Sequence, residues 1–342
     1  MGFAAEAQTG LCSRSRGPPK SKGQLAPKLK YTSQDMSDEL KHTPVLYHEV
    51  LAGLRIEPGG RYIDATVGGG GHARSILMAS APDGKLLGID ADTMAIGLAT
   101  EQLAEFENKI MLVQGSFADL EKIALRHGFR PVDGILFDLG LSSIQLGAAG
   151  RGFSFQLDGP LDMRFDPGQT TTAADLVNTL SVEELADILS RYGEEPQAQR
   201  IARAIVAQRP IHTTRELAAL VEKMVGRRRR LHPATQTFQA LRIAVNDELE
   251  CLGEALPQAM RLLKPGGRLA IISFHSLEDR LVKEFFRREG RNCLCPPELP
   301  ICTCGHQAAL KIITRKPIRP SAEEVAANPR SRSARLRIAY RL

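Results

Sequence analysis

Four consecutive glycines at positions 68–71 constrain the fold of this chain more than any other feature of its sequence. They follow an apolar segment, residues 61–65, that carries Asp64, and they precede a segment with helical spacing over residues 73–79. A glycine loop between a strand and a helix lets the backbone approach a ligand closely, because glycine has no Cβ. The unpaired N–H groups and the positive end of the helix dipole then face that ligand.

The alternation of apolar strands with helices continues beyond this loop. The predicted strands cover residues 61–65, 85–90, 110–114, 132–139, 268–274, 310–314 and 336–340, and the last two are expected to form an antiparallel pair at one edge. Alternating strands and helices form a parallel sheet with right-handed crossovers, which binds ligands beyond the C-terminal ends of its strands. Asp64, Asp90 and Asp138 all fall at such ends.

A helical insertion interrupts the pattern after the fourth strand. Residues 144–172 show little periodicity, and the following residues up to 245 are helical, with capping boxes at Ser181 and Thr213. We therefore predict a Rossmann-like α/β sheet with an inserted all-helical domain. The predicted divisions are a disordered basic extension over 1–40, the first part of the sheet domain over 41–143, the inserted loop and helices over 144–245, and the second part with a basic C-terminus over 246–342.

Charge is distributed unevenly along the chain. The net charge is +6, and residues 311–342 alone carry nine Lys and Arg against two Glu. A basic C-terminal segment on an otherwise mildly acidic chain indicates either a polyanionic binding partner or a C-terminus whose charges are simply solvated. No apolar run is long enough to span a bilayer, so we expect no membrane partner. Six cysteines in 342 residues do not resemble a secreted disulfide framework, and we therefore expect a cytoplasmic protein.

Asp64 discriminates between the ligands that the glycine loop could hold. The pattern Gly68-x-Gly70-x-x-Ala73, with Asp90 about twenty residues further on, also fits dinucleotides, and it keeps a nicotinamide-dependent dehydrogenase as an alternative. An acid at the end of the first strand would repel a pyrophosphate but would suit a cationic amino-acid group. S-adenosylmethionine carries an ammonium group, a sulfonium and a ribose diol, and no phosphate. Asp64 at the methionine end and Asp90 at the diol therefore favour S-adenosylmethionine.

The fourth strand ends in polar residues that suit methyl transfer to an amine. Asp138, Ser142 and Ser143 follow its apolar core. An exocyclic amine such as cytosine N4 is a poor nucleophile, because its lone pair is delocalised into the ring, so an enzyme must accept a hydrogen bond from its N–H. Asp138 could instead cap the next turn or contact the cofactor. Phe117, after the third strand, would flank the adenine ring or belong to the core.

Three further groups of residues each admit two interpretations. The loop over residues 151–165 combines Phe153, Phe155 and Phe165 with two arginines, Arg151 and Arg164, which suits RNA bases and phosphates or a hydrophobic lid over the cofactor. Residues 227–230 are all arginine, and with His232 and Arg242 they could contact an RNA backbone or form a solvated face. His275 could shape a base pocket or cap a helix.

Two close cysteine pairs stand near the C-terminus. Cys293-x-Cys295 and Cys302-x-Cys304 could bind Zn²⁺ tetrahedrally, although their one-residue spacing is tighter than the usual two to four residues. The alternative is a reduced surface loop without metal. The sequence leaves these two interpretations open.

From residue 42 to the C-terminus the chain resembles the bacterial ribosomal small-subunit RNA cytosine-N4 methyltransferases, the RsmH or MraW family. Many separate motifs in order carry the resemblance. They are His42-Thr43-Pro44-Val45-Leu46, Asp64 to His72, Asp138 to Ser143 with Gln145, and residues 151–155, 158–164, 233–242, 274–279 and 330–337.

The resemblance implies a class I S-adenosylmethionine-dependent methyltransferase that modifies N4 of a cytidine in the decoding region of 16S rRNA. The implied partner is 16S rRNA or the small ribosomal subunit. The residues that the resemblance places on the cofactor are Gly70, Gly71, His72, Asp90, Phe117, Asp138 and Gln145.

One departure from related DNA amino-methyltransferases affects the catalytic assignment. Those enzymes place a Pro-Pro-aromatic motif after the polar residue of the fourth strand, where this chain has Leu139-Gly140-Leu141-Ser142. The aromatic residue that stacks on the base must then come from elsewhere, with Phe153 or Phe155 as candidates. A non-catalytic RNA-binding factor that retains the fold is a further alternative. The sequence does not decide whether the protein is a monomer or a homodimer.

Overall fold

A seven-stranded sheet organises the computed structural model, which describes residues 44–226, 232–296, 299 and 301–342. The predictions made for residues 1–43 and for the arginines at 227–230 lie outside these residues. The strand order is β3-β2-β1-β4-β5-β7-β6. The strands are β1 (Arg61–Asp64), β2 (Lys85–Asp90), β3 (Ile110–Gln114), β4 (Val132–Asp138), β5 (Leu263–Ser273), β6 (Leu310–Ile312) and β7 (Arg335–Arg341).

The first five strands run parallel, and β7 lies antiparallel between β5 and β6. The predicted strands are confirmed, with one difference at β5, which begins at Leu263 instead of residue 268. Leu263 pairs with Val132, and the register then shifts before Arg268 pairs with Gly134. The intervening Lys-Pro-Gly-Gly segment, residues 264–267, comes just after the helix Glu248–Leu262 ends and is an irregularity within the strand.

Helices cover both faces of the sheet, because strand side chains alternate between the faces. Ile63 belongs to one core with the helix Glu248–Leu262. The adjacent Tyr62 belongs to the other core with the helices Tyr47–Leu54 and Gly71–Ala79. None of the described helices is both long and apolar enough to cross a membrane. The helices are α1 (Tyr47–Leu54), α2 (Gly71–Ala79), α3 (Thr93–Gln102), α4 (Leu120–Arg126), α5 (Ser143–Gly147), α6 (Ala173–Thr179), α7 (Val182–Arg191), α8 (Ala198–Ala207), α9 (Thr214–Val225), α10 (Thr235–Asn246), α11 (Glu248–Leu262), α12 (Ser276–Glu289) and α13 (Ala322–Ala327).

Helices α6 to α10 share a third core of their own, which includes Val177, Leu189 and Leu241. The capping boxes predicted at Ser181 and Thr213 are confirmed at the starts of α7 and α9. The all-helical insertion is therefore present between β4 and β5. The division of the chain at residues 144 and 245 stays a prediction.

Arg242 joins the insertion to the sheet-packing helix α11 through a buried ion pair. Its Nε donates to Glu248 Oε1 at 2.6 Å and its Nη2 donates to Glu248 Oε2 at 2.8 Å. The two side chains are only 12% and 8% exposed. The hypothesis that Arg242 contacts an RNA backbone is therefore wrong, because its guanidinium is enclosed and already paired.

Replacing one partner of this pair should destabilise the protein strongly. We expect Arg242→Met to lower the free energy of unfolding by about 3–5 kcal/mol, because the Glu248 carboxylate stays buried without its partner. Arg242→Met combined with Glu248→Leu should recover most of that loss. Urea unfolding followed by circular dichroism measures both.

The matched control is an exposed pair on α7. Arg191 Nη1 lies 3.2 Å from Asp187 Oδ2, and the two side chains are 62% and 58% exposed. Arg191→Met should change the free energy of unfolding by less than about 1 kcal/mol. Equal losses for the Arg191 and Arg242 variants would contradict the importance that we assign to burial.

Candidate active site

A cavity of about 830 Å³ opens beyond the C-terminal ends of β1, β2 and β4. Its size lies within the usual range for small-molecule and cofactor sites. The glycine loop, the strand ends, α5 and the loop before α6 all contribute to its wall. The parallel register puts Asp64, Asp90 and Asp138 at this edge of the sheet, as the sequence predicts.

The glycines of the loop are required for different reasons. Gly68 and Gly70 have φ of +51° and +91°, in the left-handed region that favours glycine. A Cβ on Gly70 would stand 2.9 Å from Leu103 Cδ1, and one on Gly71 would stand 2.8 Å from Pro44 Cγ. Gly71 lines the cavity, whereas Gly70 does not. Close packing against neighbouring side chains therefore explains part of the run of glycines.

Burial raises the pKa values of Asp64, Asp90 and Asp138 in this cavity, and a neighbouring acid adds to each shift. Burial, followed by the charge of Asp90, raises the pKa of Asp64 to about 7. Burial raises the pKa of Asp90 to about 6, although backbone N–H groups of Asp92 and Gly68 oppose this. Burial, Asp64 and Glu278 raise the pKa of Asp138 to about 8. A cationic ligand would relieve this repulsion and an anionic pyrophosphate would increase it, so the cavity fits S-adenosylmethionine.

Asp138 presents a buried oxygen without a partner at the end of β4. Its Oδ1 has no hydrogen-bond partner among the described residues. The backbone N–H of Asp138 donates to Thr66 Oγ1 at 2.6 Å, which fixes the end of β4 against the loop after β1. His72 Nε2 lies 3.7 Å from Asp138 Oδ2, and burial lowers the pKa of His72 to about 4. The imidazole is therefore neutral near pH 7 and leaves the carboxyl without a cationic neighbour.

Glu278 differs from Asp138 although it also lines the cavity. Burial acts to raise the pKa of Glu278, but His275 and Arg242 hold it below its usual value. His275 is the N-cap of α12, and its Nδ1 accepts the backbone N–H of Glu278 at 3.4 Å. The helix-capping interpretation of His275 is therefore confirmed. Glu278 stays ionised near pH 7, while Asp138 can take up a proton.

Ser142 and Gln145 form the capping box of α5. Ser142 Oγ accepts the Gln145 N–H at 3.1 Å, and Gln145 Oε1 accepts the Ser142 N–H at 3.0 Å. Gln145 Nε2 donates to Asp92 Oδ2 at 3.0 Å. Both residues line the cavity, so each is structurally engaged and still adjacent to a ligand. Ser143 is the first residue of α5, and its side chain lies outside the described part of the protein.

The aromatic residues that line the cavity are Phe117, Phe165 and Phe274. Phe117 also packs edge-on against Phe137 with ring centroids 5.8 Å apart, so it belongs to the core, and its contact with the adenine ring stays a prediction. Phe153 is buried and stacks on Phe165, and Phe155 stacks on His232 at 4.4 Å. Neither Phe153 nor Phe155 lines the cavity, which corrects the prediction that one of them stacks on the base.

The two arginines of the same loop hold it in place. Arg151 Nη1 donates to Asp92 Oδ2 at 2.9 Å, and its Nη2 donates to the carbonyls of Arg164 and Phe165. Arg164 pairs with Asp162 and donates to the carbonyl of Gln169 at 2.6 Å. Because most of their donors are used within the protein, the interpretation of these arginines as phosphate ligands is not supported.

An exposed arginine to which the sequence assigned no role reaches the cavity from the basic C-terminal region. Arg330 is exposed and lines the cavity. It lies beside Asn328, which caps the short helix Pro329–Ser333. In the sequence, Arg330 belongs to the basic residues 311–342 and begins the 330–337 motif of the resemblance, and neither signal assigns it to the cavity.

The parallel sheet with antiparallel β7 near its edge, together with an acid-lined cavity at the glycine loop, defines a class I S-adenosylmethionine-dependent methyltransferase. The chain belongs to the MraW methylase family, whose model matches residues 39–342.

Three relatives are each named "Ribosomal RNA small subunit methyltransferase H". The relative from Thermomicrobium roseum is 59% identical over 305 residues, covering 88% of this chain and 94% of that protein. Relatives from Dehalococcoides mccartyi and Syntrophotalea carbinolica are 55% and 54% identical, covering 89% and 88% of this chain and 87% and 98% of those proteins.

The raised carboxyl pKa values predict how cofactor binding depends on pH. S-adenosylmethionine should bind roughly tenfold more tightly at about pH 7.5 than at about pH 5.5, because its cationic groups favour ionised carboxylates that are protonated at the lower pH. Isothermal titration calorimetry across this range measures the change. Asp64→Asn should bind more weakly and show a flatter pH profile. An affinity that falls as the pH rises would contradict the assignment.

The same substitution should stabilise the ligand-free protein at high pH. The folded-state pKa of Asp64 lies above its unfolded value, so its contribution to stability is lost as the pH rises from about 4 through about 7. An asparagine side chain does not ionise, and thermal unfolding should show a higher Tm for Asp64→Asn than for wild type at pH 8, with a smaller difference at pH 5. Asp83→Asn, at an exposed position, is the control for both measurements and should change neither.

Proposed function

We propose that this protein transfers a methyl group from S-adenosylmethionine to N4 of a cytidine in the decoding region of 16S rRNA. The names of its relatives support small-subunit ribosomal RNA as the substrate. The observation that carries the chemistry is the unpartnered, buried Oδ1 of Asp138, at the strand end beside the glycine loop. Such an oxygen suits an amine that must give up a proton.

Asp138 has two tasks in this proposal. Its ionised carboxylate accepts a hydrogen bond from the exocyclic N–H, which localises the nitrogen lone pair and aligns it. When bound, the cofactor would supply an electrophilic methyl group; its sulfur–methyl bond would break, and S-adenosylhomocysteine would leave with the electron pair. As the nitrogen–carbon bond forms, the surplus proton of the amine passes to Asp138 Oδ1. A carboxyl with a pKa of about 8 is well matched to this transfer near neutral pH.

The residues proposed to contact the cofactor are the seven that the family resemblance implies, and all but one of them line the cavity. Six of the seven residues line the cavity, and Gly70 does not. We propose that Gly70 acts through the left-handed backbone at the start of α2 and its close packing on Leu103. The six that line the cavity are Gly71, His72, Asp90, Phe117, Asp138 and Gln145.

The insertion supplies the substrate side of the site in this proposal. Phe165 reaches the cavity from the loop before α6, and Asn246 holds it there. Asn246 Oδ1 accepts the Phe165 N–H at 2.7 Å, and Asn246 Nδ2 donates to the Met163 carbonyl at 2.7 Å. We propose that Phe165 stacks on the extruded base and that Arg330 contacts a neighbouring phosphate.

The experiment that tests the substrate uses the purified protein with S-adenosylmethionine and small ribosomal subunits from a strain that lacks this gene. Nucleoside mass spectrometry should detect N4-methylcytidine in the decoding region only after incubation with the wild-type protein. A methyl group on another nucleoside or another position would contradict the proposed target. Cofactor binding without any transfer, to subunits or to free 16S rRNA, would favour a non-catalytic RNA-binding factor.

Removing the proton acceptor should slow the chemical step. We expect Asp138→Asn to lower single-turnover methyl transfer by at least about 100-fold, because the amide cannot take up the proton. Ser142→Ala should have a smaller effect, since the Ser142 hydroxyl is already engaged in the helix cap. Radiolabel transfer under single-turnover conditions compares the two. Near-normal transfer by Asp138→Asn would remove Asp138 from an essential role.

Two loop phenylalanines offer a matched test of base stacking. Phe165→Leu should weaken methyl transfer by about tenfold or more, since stacking contributes about 1–3 kcal/mol per base, and should leave the Kd for S-adenosylmethionine nearly unchanged. Phe155→Leu changes the same residue type outside the cavity and should preserve transfer. The reverse result would restore Phe155 as the stacking residue.

A further inference from the structure

We propose that the four cysteines of the loop between α12 and β6 bind one Zn²⁺ ion that fastens this loop. The cysteines are Cys293, Cys295, Cys302 and Cys304. The loop spans residues 290–309 and its described residues form no helix or strand. Such long irregular loops in compact folds are uncommon without a function or a constraint.

The sulfur atoms already stand at the separation that a tetrahedral thiolate site requires. A Zn–S bond of about 2.3 Å places neighbouring sulfurs about 3.8 Å apart in a tetrahedron. Cys302 Sγ lies 3.3 Å from Cys293 Sγ and 3.6 Å from Cys304 Sγ, and Cys304 Sγ lies 3.9 Å from Cys293 Sγ. All four Sγ atoms lie within 4.8 Å of one another.

Each one-residue spacing is compatible with this arrangement. Residues two apart in extended backbone point to the same side, so a Cys-x-Cys segment can direct both thiols at one point. The two segments approach each other face to face, since the Thr303 N–H donates to Cys295 Sγ at 3.4 Å and the Leu294 N–H donates to Cys304 Sγ at 3.3 Å. The spacing that weakened the sequence prediction is therefore no obstacle.

Backbone donors around the sulfurs suit thiolates. Besides the two cross-segment bonds, the Cys295 N–H donates to Cys293 Sγ at 3.4 Å. Hydrogen bonds from N–H groups to metal-bound ligands orient those ligands and offset their negative charge. Four uncharged thiols would gain little from such donors, whereas a tetrathiolate zinc centre carries net negative charge that they stabilise.

The arrangement excludes two other interpretations. The contact of 3.3 Å between Cys293 and Cys302 is much longer than a disulfide bond of about 2.05 Å, and both cysteines are free. A catalytic zinc site keeps one coordination position open, whereas four cysteines complete the tetrahedron. None of the four lines the cavity beside the glycine loop. The site is therefore structural and separate from the methyl-transfer site.

The ion would tie the end of α12 to the edge strand β6. The Ala309 N–H donates to the Glu289 carbonyl at 2.8 Å, which brings the two ends of the loop together at its base. A metal near the middle closes the remaining part of the loop and reduces the freedom of the unfolded chain. Leu294, Leu299 and Ile301, which are 40%, 49% and 75% exposed, then stand on a fixed loop instead of a freely moving one.

The test measures the metal content of the full-length protein, purified under reducing conditions without a polyhistidine tag. Inductively coupled plasma mass spectrometry should find about one zinc per chain. The double variant Cys302→Ser/Cys304→Ser should lose it. Cys251→Ala should keep it, since Cys251 is a buried thiol of α11 outside the cluster. Removing zinc with a chelator should lower the Tm, and adding Zn²⁺ should restore it.

A second readout does not depend on the folding of variants. Wild-type protein that has been stripped and reloaded with Co²⁺ should show the intense visible absorption of tetrahedral cobalt bound to thiolates. The absence of bound zinc, together with no uptake of Zn²⁺ or Co²⁺ by reduced protein, would overturn the proposal. Iron as the bound metal, or loss of zinc in Cys251→Ala with retention in the double variant, would also overturn it.

Discussion

The burial of three carboxyl groups at the ends of parallel strands is the constraint on which the site depends. The strand order places β1 between β2 and β4, so Asp64, Asp90 and Asp138 meet at one edge. Each is withdrawn from water, and the pKa of each is raised. As the pH rises, these buried carboxyl groups ionise and the folded state loses stability relative to the unfolded state. Binding of a cationic ligand offsets that loss of stability. Cofactor binding and stability are linked through the same three groups.

Glu278 and Asp138 differ in protonation because different side chains surround them. Glu278 has His275 and Arg242 nearby and stays ionised, whereas Asp138 faces a neutral His72 and two other acids. Carboxyl groups whose environments push their pKa values apart commonly divide proton transfer from electrostatic stabilisation. The buried pair between Arg242 and Glu248 keeps a cation beside Glu278, so the contact that joins the insertion to α11 also sets the charge at the cavity wall.

The sequence predicted the features that depend on local patterns. Strand ends follow from apolar runs that stop at an acid, and helix starts follow from capping boxes such as Ser181 with Glu184. Local patterns do not predict which side chains form hydrogen bonds or ion pairs when the two residues are far apart in the sequence. In the sequence, Arg151 and Arg242 both looked available to bind phosphate. In the structure, Arg151 pairs with Asp92, which is 59 residues away in the chain, and Arg242 is buried and paired with Glu248. Phe155 and Phe165 are phenylalanines of the same loop, and their sequence context does not distinguish them. Hydrogen bonds to Asn246 and Arg151, which lie far apart in the sequence, hold Phe165 at the cavity.

Asp92 connects the cofactor side of the site to the substrate side. Its Oδ1 caps α3 by accepting the Met94 N–H, and its Oδ2 accepts from both Gln145 and Arg151. The residue is 1% exposed, so this carboxylate needs all of these donors. Gln145 belongs to the capping box of α5 in the cavity wall, and Arg151 donates to the carbonyl of Phe165. A shift of the loop that carries Phe165 would therefore disturb the hydrogen bonds of α5 and the start of α3 as well. The two halves of the site are fixed relative to each other by one buried charge, which explains why a long loop with little secondary structure can position an aromatic ring beside the glycine loop.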